Sequence, residues 1–194
     1  PLLDALNVAG YTHPTPIQEH VVPPALRGRD VIGQAQTGTG KTAAFLLPFL
    51  NRWRPHTLKG PIGVVMTPTR ELALQIATEA EKLAPSRKFR CVAVYGGTGM
   101  QRQLDGLKRG CDLVVGTPGR MLDHLQRGSM SLGQAWALCM CMCTLRSSAC
   151  VDCAWHRAAL AAAAMRLSAL HLYKHGCHCC KYSSSACAMP WLLE

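Results

Sequence analysis

Four short apolar runs, each followed by a longer segment, constrain the fold of this chain more than any other feature of its sequence. They occupy residues 31–33, 62–66, 91–95 and 113–115. An apolar run without polar alternation is typical of a strand that is buried on both faces, and parallel strands need a crossover helix between them. The pattern therefore predicts an α/β fold, in which a mostly parallel sheet carries helices on both faces.

A helical segment is predicted after each apolar run. The sequence predicts one helix from residue 41 to about residue 50 and another from residue 70 to about residue 83, and shorter helical stretches follow the last two runs. Right-handed crossovers place the loops that follow parallel strands along one rim of the sheet, where ligands bind in open α/β sheets. Residues in these loops are the first candidates for function.

The first of these loops has the spacing of a Walker A phosphate loop, with Ala-Gln-Thr-Gly-Thr-Gly-Lys-Thr at residues 35–42. Such a loop directs backbone N–H groups at phosphate oxygens, and the following helix adds its dipole. Lys41 would reach the β- and γ-phosphates, and the Thr42 hydroxyl would bind Mg²⁺, which makes these two the predicted catalytic positions. The alternative is a glycine-rich surface turn. The predicted cofactor contacts are Gln36, Thr37, Gly38, Thr39, Gly40, Lys41 and Thr42.

Five motifs follow one another along the first 132 residues. They are Gly-Tyr-Thr-His-Pro-Thr-Pro-Ile-Gln at 10–18, the phosphate loop, Pro-Thr-Arg-Glu-Leu-Ala at 68–73, Gly-Gly at 96–97 and Thr-Pro-Gly-Arg at 117–120. In this order they resemble the Q motif and motifs I, Ia, GG and Ib of DEAD-box ATP-dependent RNA helicases. The resemblance implies that residues 1–132 are an incomplete N-terminal RecA-like domain, a P-loop NTPase fold that binds ATP and RNA.

The Q-motif residues have side chains suited to an adenine base. Gln18 carries an amide donor and an acceptor, as reading the adenine N6 and N7 edge requires, and Tyr11 offers a flat face for stacking. The resemblance implies that together they select ATP over GTP. The alternative is a buried tyrosine and a hydrogen-bonded glutamine of purely structural role.

The remaining motifs suit the phosphate backbone of RNA. Backbone N–H groups and a guanidinium converge at the two predicted helix starts after residues 66 and 116, which is a phosphate-binding arrangement. The resemblance implies that these motifs grip one RNA strand with little sequence selectivity. The alternative is a set of common turn signals and a solvated helix face. The predicted RNA-binding residues are Pro68, Thr69, Arg70, Gly97, Thr117, Gly119 and Arg120.

The family's Asp-Glu-Ala-Asp string, expected on the strand after motif Ib, does not occur in this sequence. After residues 127–132 no apolar run is evident, and the nearest substitute is Asp152, which Cys153 follows in place of the general-base glutamate. The Ser-Ala-Thr motif and the second lobe are also missing from the sequence. We therefore expect no ATPase or unwinding activity from this chain alone, and an open inner strand edge in its truncated sheet. The alternatives are a fragment of an active helicase, a truncated isoform that acts as a nucleotide- and RNA-binding module, and a different P-loop NTPase.

Residues 133–194 form a tail that is rich in cysteine and alanine and has no strand–helix rhythm. Two C-x-x-C pairs, Cys150 with Cys153 and Cys177 with Cys180, offer four thiolates for zinc, with His178 nearby. Nine cysteines so close together give such pairs by chance, so we expect no zinc there. We expect an irregular tail with one alanine-rich helix at residues 158–169, and its composition favours an origin in a shifted frame, a retained intron or a wrong gene model.

Composition narrows the partners and the compartment. The net charge of +10 favours an anionic partner such as RNA, but does not establish one. The sequence shows no secretory signal and no apolar run long enough to cross a bilayer. Nine of the eleven cysteines lie between residues 139 and 187, which no disulfide scaffold would require. These features predict an intracellular protein without a membrane partner.

Overall fold

The computed structural model describes residues 2–57 and 60–140. This part of the chain contains alternating helices and strands, as the apolar runs predict. In chain order they are α1 (Leu2–Val8), α2 (Pro16–Leu26), α3 (Lys41–Arg52), β1 (Gly63–Met66), α4 (Arg70–Lys82), β2 (Cys91–Val94), α5 (Met100–Lys108), β3 (Leu113–Gly116), α6 (Pro118–Gln126) and β4 (Ala137–Met140). The predicted helices from residues 41 and 70, and the predicted strands at 62–66, 91–95 and 113–115, are confirmed within one or two residues.

The four strands form one parallel sheet in the order β2–β3–β1–β4. Val64 of β1 lies in register with Val114 of β3 on one side and with Leu138 of β4 on the other. All residues of β1 and β3 are buried, which explains their continuous apolar sequence. Each connection between successive strands contains a helix, so the α/β fold predicted from the sequence is the observed one.

The core lies between the sheet, α3 and α4. Leu46 and Leu50 of α3, Ile76 of α4 and Val115 of β3 are each 1% exposed or less. Burial of one such side chain stabilises the fold by about 1.5–3 kcal/mol, so these contacts fix both helices on the sheet. The position of α3 matters for function because the phosphate loop leads directly into its first residue.

The strand predicted at residues 31–33 is absent, and that prediction is wrong. These residues have no strand hydrogen bonds, and Val31 and Ile32 are 37% and 82% exposed. A strand exists only through pairing with a neighbour, and none of the four strands of the described sheet pairs with this run. The phosphate loop therefore follows an irregular segment instead of a buried strand.

The missing apolar run after motif Ib is also a wrong prediction, because β4 is present at Ala137–Met140. Its sequence contains no β-branched residue and merges with the Cys-Met alternation that follows, which hid it from pattern reasoning. Because β4 pairs with β1, the latter has a partner on each side, and the expected open inner edge does not occur. The predicted tail features, namely the thiolate pairs, the alanine-rich helix and Asp152, lie outside the described residues.

No helix within residues 2–57 and 60–140 combines the length and the apolar character that crossing a bilayer requires.

Candidate nucleotide and nucleic-acid sites

The phosphate loop has the backbone geometry that anion binding needs. Gly38 and Gly40 adopt φ angles of +81° and +80°, a left-handed conformation that other residues rarely take. Helix α3 begins at Lys41, so the N–H groups of its first turn have no intrahelical partner, and the positive end of its dipole lies at the loop. A phosphate group fits this arrangement chemically.

The lysine of the loop is held by the loop itself. Lys41 Nζ donates hydrogen bonds to the carbonyl oxygens of Ala35 and Gln36, at 2.7 and 2.6 Å. The Thr39 hydroxyl donates to the same Gln36 oxygen at 2.7 Å. These bonds satisfy the ammonium group from within, so a bound phosphate must replace carbonyl acceptors that are already in place.

The segment that resembles the Q motif contacts the phosphate loop directly. The Thr15 hydroxyl donates to Thr39 O at 2.8 Å, and Gln18 Nε2 donates to Gly40 O at 3.1 Å. The Gln18 Oε1 atom accepts from Thr15 N at 3.1 Å, which orients the amide. Gln18 is only 4% exposed although it is polar, because these bonds satisfy it inside the protein. Two motifs that are about 20 residues apart in sequence therefore meet.

Tyr11 is anchored to α4. Its hydroxyl donates to Glu79 Oε1 at 2.7 Å, and its ring packs against the core. Burial, and then the bond to Glu79, raise the pKa of Tyr11 to about 12, so the phenol stays protonated at neutral pH. The Gln18 side chain uses one N–H and one oxygen lone pair in the bonds described above, so its amide keeps one further donor and one further acceptor site. Recognition of a base by Tyr11 and Gln18 stays a prediction.

The three motifs predicted to bind RNA follow the carboxyl ends of β1, β2 and β3, which lie side by side in the sheet. The fully buried Thr67 joins two of them, since its hydroxyl lies 3.1 Å from Thr69 O and 3.3 Å from Gly116 O. Thr69 caps α4, accepting a hydrogen bond at its side chain from Leu72 N at 3.3 Å. The loops after these strands are thereby held at one edge of the sheet.

Two arginines predicted from the sequence meet the loop after β2. The Arg70 guanidinium lies 5.0 Å above the ring centroid of Tyr95, a cation–π contact that leaves Arg70 exposed. Arg120 donates through Nη1 and Nη2 to Thr98 O at 3.2 and 3.3 Å. Gly97 lies between these two contacts in sequence, with φ of +79°, and a Cβ at this position would meet nothing within 4 Å. The structure thus brings motifs Ia, GG and Ib together.

The sequence reasoning missed a buried polar network behind this edge. Gln103 Nε2 donates to Tyr95 O at 2.9 Å and lies 3.2 Å from Thr98 Oγ1, and its Oε1 atom is 3.5 Å from Arg120 Nη1. Gln103 is 6% exposed, so it serves as an internal brace between α5 and the loop that carries Gly97. A glutamine at an apolar position of an amphipathic helix was the available signal.

His124 completes the network from α6. It is fully buried, with Nε2 at 3.2 Å from Gln103 Oε1 and Nδ1 at 2.8 Å from Ser129 Oγ. Burial lowers the pKa of His124, and the positive charge of Arg120 lowers it further. A neutral ring with its proton on Nε2 can donate to the side-chain oxygen Oε1 of Gln103. The histidine therefore holds Gln103, and through it the loop after β2.

The remaining predicted residues lie at the start of α6 and in the phosphate loop. Gly119 is exposed in the first turn of α6, and Pro118 and Thr117 form the start of that helix. Thr37 is exposed and Thr42 half-buried in the phosphate loop. Within the part of the chain that the structure describes, no group of three or more His, Cys, Asp or Glu side chains is arranged to hold a metal ion.

Comparison with known proteins agrees with the five motifs. The ATP-dependent RNA helicase DeaD of Escherichia coli K12 is 50% identical over 135 residues, which make up 69% of this chain and 21% of that protein. A human protein described as probable ATP-dependent RNA helicase DDX46 is 51% identical over 132 residues, 66% of this chain and 13% of that one. The chain therefore spans about a fifth of one relative and about an eighth of the other.

Solved structures show the same fold. A DEAD box protein from the hyperthermophile Methanococcus jannaschii superposes with a TM-score of 0.67 at 37% identity, over 72% of this chain and 38% of that one. A hypothetical ATP-dependent RNA helicase from Sulfolobus tokodaii gives 0.64 at 32% identity, over 72% and 40%. A model of the DEAD/DEAH box helicase family matches residues 15–137. The α/β fold is thus the RecA-like fold of such domains, and the chain belongs to the DEAD/DEAH box helicase family.

Proposed function

We propose that residues 1–132 bind ATP with Mg²⁺ in the phosphate loop and hold the phosphate backbone of an RNA strand at the edge formed by motifs Ia, GG and Ib. The observation that carries the proposal is the pair of hydrogen bonds from Thr15 and Gln18 to the carbonyls of Thr39 and Gly40. They join a segment suited to a base with a loop suited to phosphates, as one bound nucleotide requires.

ATP binding at this site depends on an exchange of hydrogen bonds. The Lys41 ammonium leaves the carbonyls of Ala35 and Gln36 and meets the β- and γ-phosphates. The αL glycines and the first turn of α3 supply N–H donors to the remaining phosphate oxygens. Bound Mg²⁺ would neutralise phosphate charge, with the Thr42 hydroxyl as its ligand from this chain.

RNA binding rests on positive charge and backbone donors at one edge. Arg70 is exposed while its guanidinium stacks on Tyr95, so its N–H groups remain available to a phosphate. The α6 start at Thr117 and Gly119 adds backbone N–H groups, and Arg120 fixes the adjoining loop through Thr98 O. These groups recognise phosphate and not base edges, which predicts weak, salt-dependent and sequence-independent binding.

We further propose that the 194-residue chain by itself does not turn over ATP. The family carries its catalytic carboxylates at the strand after motif Ib, and β4 is followed in sequence by Cys-Met-Cys-Thr at residues 141–144, which contains none. Loss of a general base alone lowers a rate by about 10²–10⁴-fold. This feature favours a second candidate function, a non-catalytic module that binds nucleotide and RNA.

Calorimetry with ATP and GTP tests nucleotide binding. We expect saturable ATP binding and weaker GTP binding. Lys41→Ala should abolish ATP binding, whereas the control Lys108→Ala, which changes an exposed lysine of α5, should leave it intact. Equal affinity for both nucleotides would refute the base-recognition role of Gln18. No binding by folded protein would refute the nucleotide site.

RNA binding and turnover need separate assays. Arg70→Ala should weaken binding of a single-stranded RNA, whereas Lys82→Ala, which changes an exposed lysine at the other end of α4, should not. Hydrolysis of ATP that RNA stimulates and Lys41→Ala abolishes would disprove the proposed lack of turnover.

A further inference from the structure

A cavity lies at the amino-terminal end of the sheet, away from the edge that carries motifs Ia, GG and Ib. Its volume is about 380 Å³. Asp112 and Arg90 in its wall directly precede β3 and β2, whereas the motif residues follow the carboxyl ends of these strands. The other walls come from the end of α3 and the segment before β2, and the residues used below are Trp53, His56, Arg87 and Lys88.

The wall of this cavity is positively charged. Arg87, Lys88 and Arg90 share the wall with one carboxylate, that of Asp112, so these four side chains carry a net charge of +2. Arg87 and Lys88 are exposed and free to reorient towards a ligand. Arg90 also donates to Arg109 O, and this bond uses one of the five N–H donors of its guanidinium.

The carboxylate of Asp112 is committed to the protein. Its Oδ2 atom accepts from Arg90 N at 2.7 Å, and its Oδ1 atom lies 2.9 Å from His56 Nε2. Asp112 is 4% exposed, so it orients the histidine and the backbone and presents little negative charge to the cavity. An entering anion would meet the three cationic side chains instead.

Aromatic packing makes the opposite wall rigid. Trp53 is 4% exposed and packs edge-on against Phe89, with ring centroids 5.7 Å apart. The buried Trp53 Nε1–H has no hydrogen-bond acceptor among residues 2–57 and 60–140. The Nε1 atom is also closed off from solvent, so the indole N–H lies behind the surface of this wall and its NMR signal reports on changes in the wall.

We propose that this cavity is a second anion site, which binds a small phosphate-bearing molecule. Guanidinium groups bind phosphate oxygens in pairs, and a cavity of this volume lies at the lower end of the range for small-ligand sites. It has room for a pyrophosphate group, free or at the end of a nucleotide, but not for a length of RNA. The site is independent of the phosphate loop and of the proposed function.

Titration of the full-length ¹⁵N-labelled chain with inorganic pyrophosphate tests this proposal. The chain has four tryptophans, and Trp53→Phe identifies the Trp53 indole N–H signal. We expect this signal to shift saturably both in the wild type and in a Lys41→Ala background, which removes the lysine of the phosphate loop. A parallel titration with ADP shows whether a nucleotide can deliver the same group.

Paired variants decide whether the cationic wall is responsible. Arg87→Ala/Lys88→Ala should weaken binding by about tenfold or more, because it removes two of the three cationic side chains of the wall. The control Arg102→Ala/Lys108→Ala removes the same charge from α5 and should leave the affinity unchanged. The rest of the spectrum reports whether each variant is folded.

Four results would overturn the proposal. They are a Trp53 signal that does not move at saturating pyrophosphate, a shift that disappears with Lys41→Ala, equal weakening in the control pair, and a shift produced by an RNA oligonucleotide but not by pyrophosphate. A variant that is unfolded is replaced by Arg87→Gln/Lys88→Gln, which keeps the side-chain bulk and removes the charge.

Discussion

Two glycines of the phosphate loop offer a matched test of how the Q-motif segment holds that loop. Gly38 and Gly40 have nearly the same left-handed φ, +81° and +80°. A Cβ at Gly38 would meet nothing within 4 Å, whereas a Cβ at Gly40 would lie 2.4 Å from Gln18 Nε2 and 3.3 Å from Thr15 Oγ1. Alanine at either position strains the backbone equally, but only Gly40→Ala displaces Gln18.

The size of the difference follows from the bonds of Gln18. The left-handed conformation costs alanine roughly 1–2 kcal/mol at either position. Displacing Gln18 also breaks its bonds with Gly40 O and Thr15 N, each worth about 0.5–1.5 kcal/mol. We therefore expect Gly38→Ala to lower the free energy of unfolding by roughly 1–2 kcal/mol and Gly40→Ala by roughly 2–5 kcal/mol.

Urea unfolding of the wild type, both single variants and their combinations with Gln18→Ala measures these values. In the Gln18→Ala background the obstruction is gone, so Gly40→Ala should cost about the same as Gly38→Ala. Equal costs for the two glycine variants in the wild-type background would refute the reasoning. The reasoning would also be refuted if Gly40→Ala lowered the free energy of unfolding by the same amount in the Gln18→Ala background as in the wild type.

Three further changes have defined outcomes in urea unfolding. Gly116→Ala places a Cβ 2.0 Å from the Val94 carbonyl oxygen and should cost more than about 3 kcal/mol, whereas Gly96→Ala, with open space around it, should cost under about 1 kcal/mol. Because burial lowers the pKa of His124, the unfolded chain binds the extra proton first, so stability should fall as the pH drops below about 6.5, and His124→Asn should flatten this slope. Tyr11→Phe removes the bond to Glu79 and should cost about 1–2 kcal/mol at pH 7; no loss would show that the bond does not anchor the segment.

The sequence predicted those parts of the fold in which local pattern and final environment agree. The runs that became β1 and β3 are apolar throughout because both faces of each strand are buried. The starts of α3 and α4 follow from the glycine before Lys41 and from the cap Thr69. Motifs Ia, GG and Ib could also be grouped from the sequence, because parallel strands carry the loops that follow them to one edge of the sheet.

The sequence could not predict features that depend on pairing between distant segments. Val31 and Ile32 have the apolar character of a strand, but no local signal shows whether a neighbouring strand will pair with them. The strand β4 has a poor strand sequence and forms because β1 provides an edge with matching register. The network of Gln103 and His124 likewise depends on α5 meeting α6 behind the loop, which no spacing in the sequence encodes.

The absence of a strand at residues 31–33 and the contacts of Thr15 and Gln18 together explain how the phosphate loop is held. A strand before the loop would have tied it to the sheet, but residues 31–36 are irregular and the adjacent side chains are exposed. Within residues 2–57 and 60–140, the loop is attached through α3, whose apolar face is buried in the core, and through the hydrogen bonds from Thr15 and Gln18. The second attachment comes from the segment that is proposed to read the base. A movement of that segment should therefore change the conformation of the loop that is proposed to hold the phosphates, because the two hydrogen bonds connect them directly.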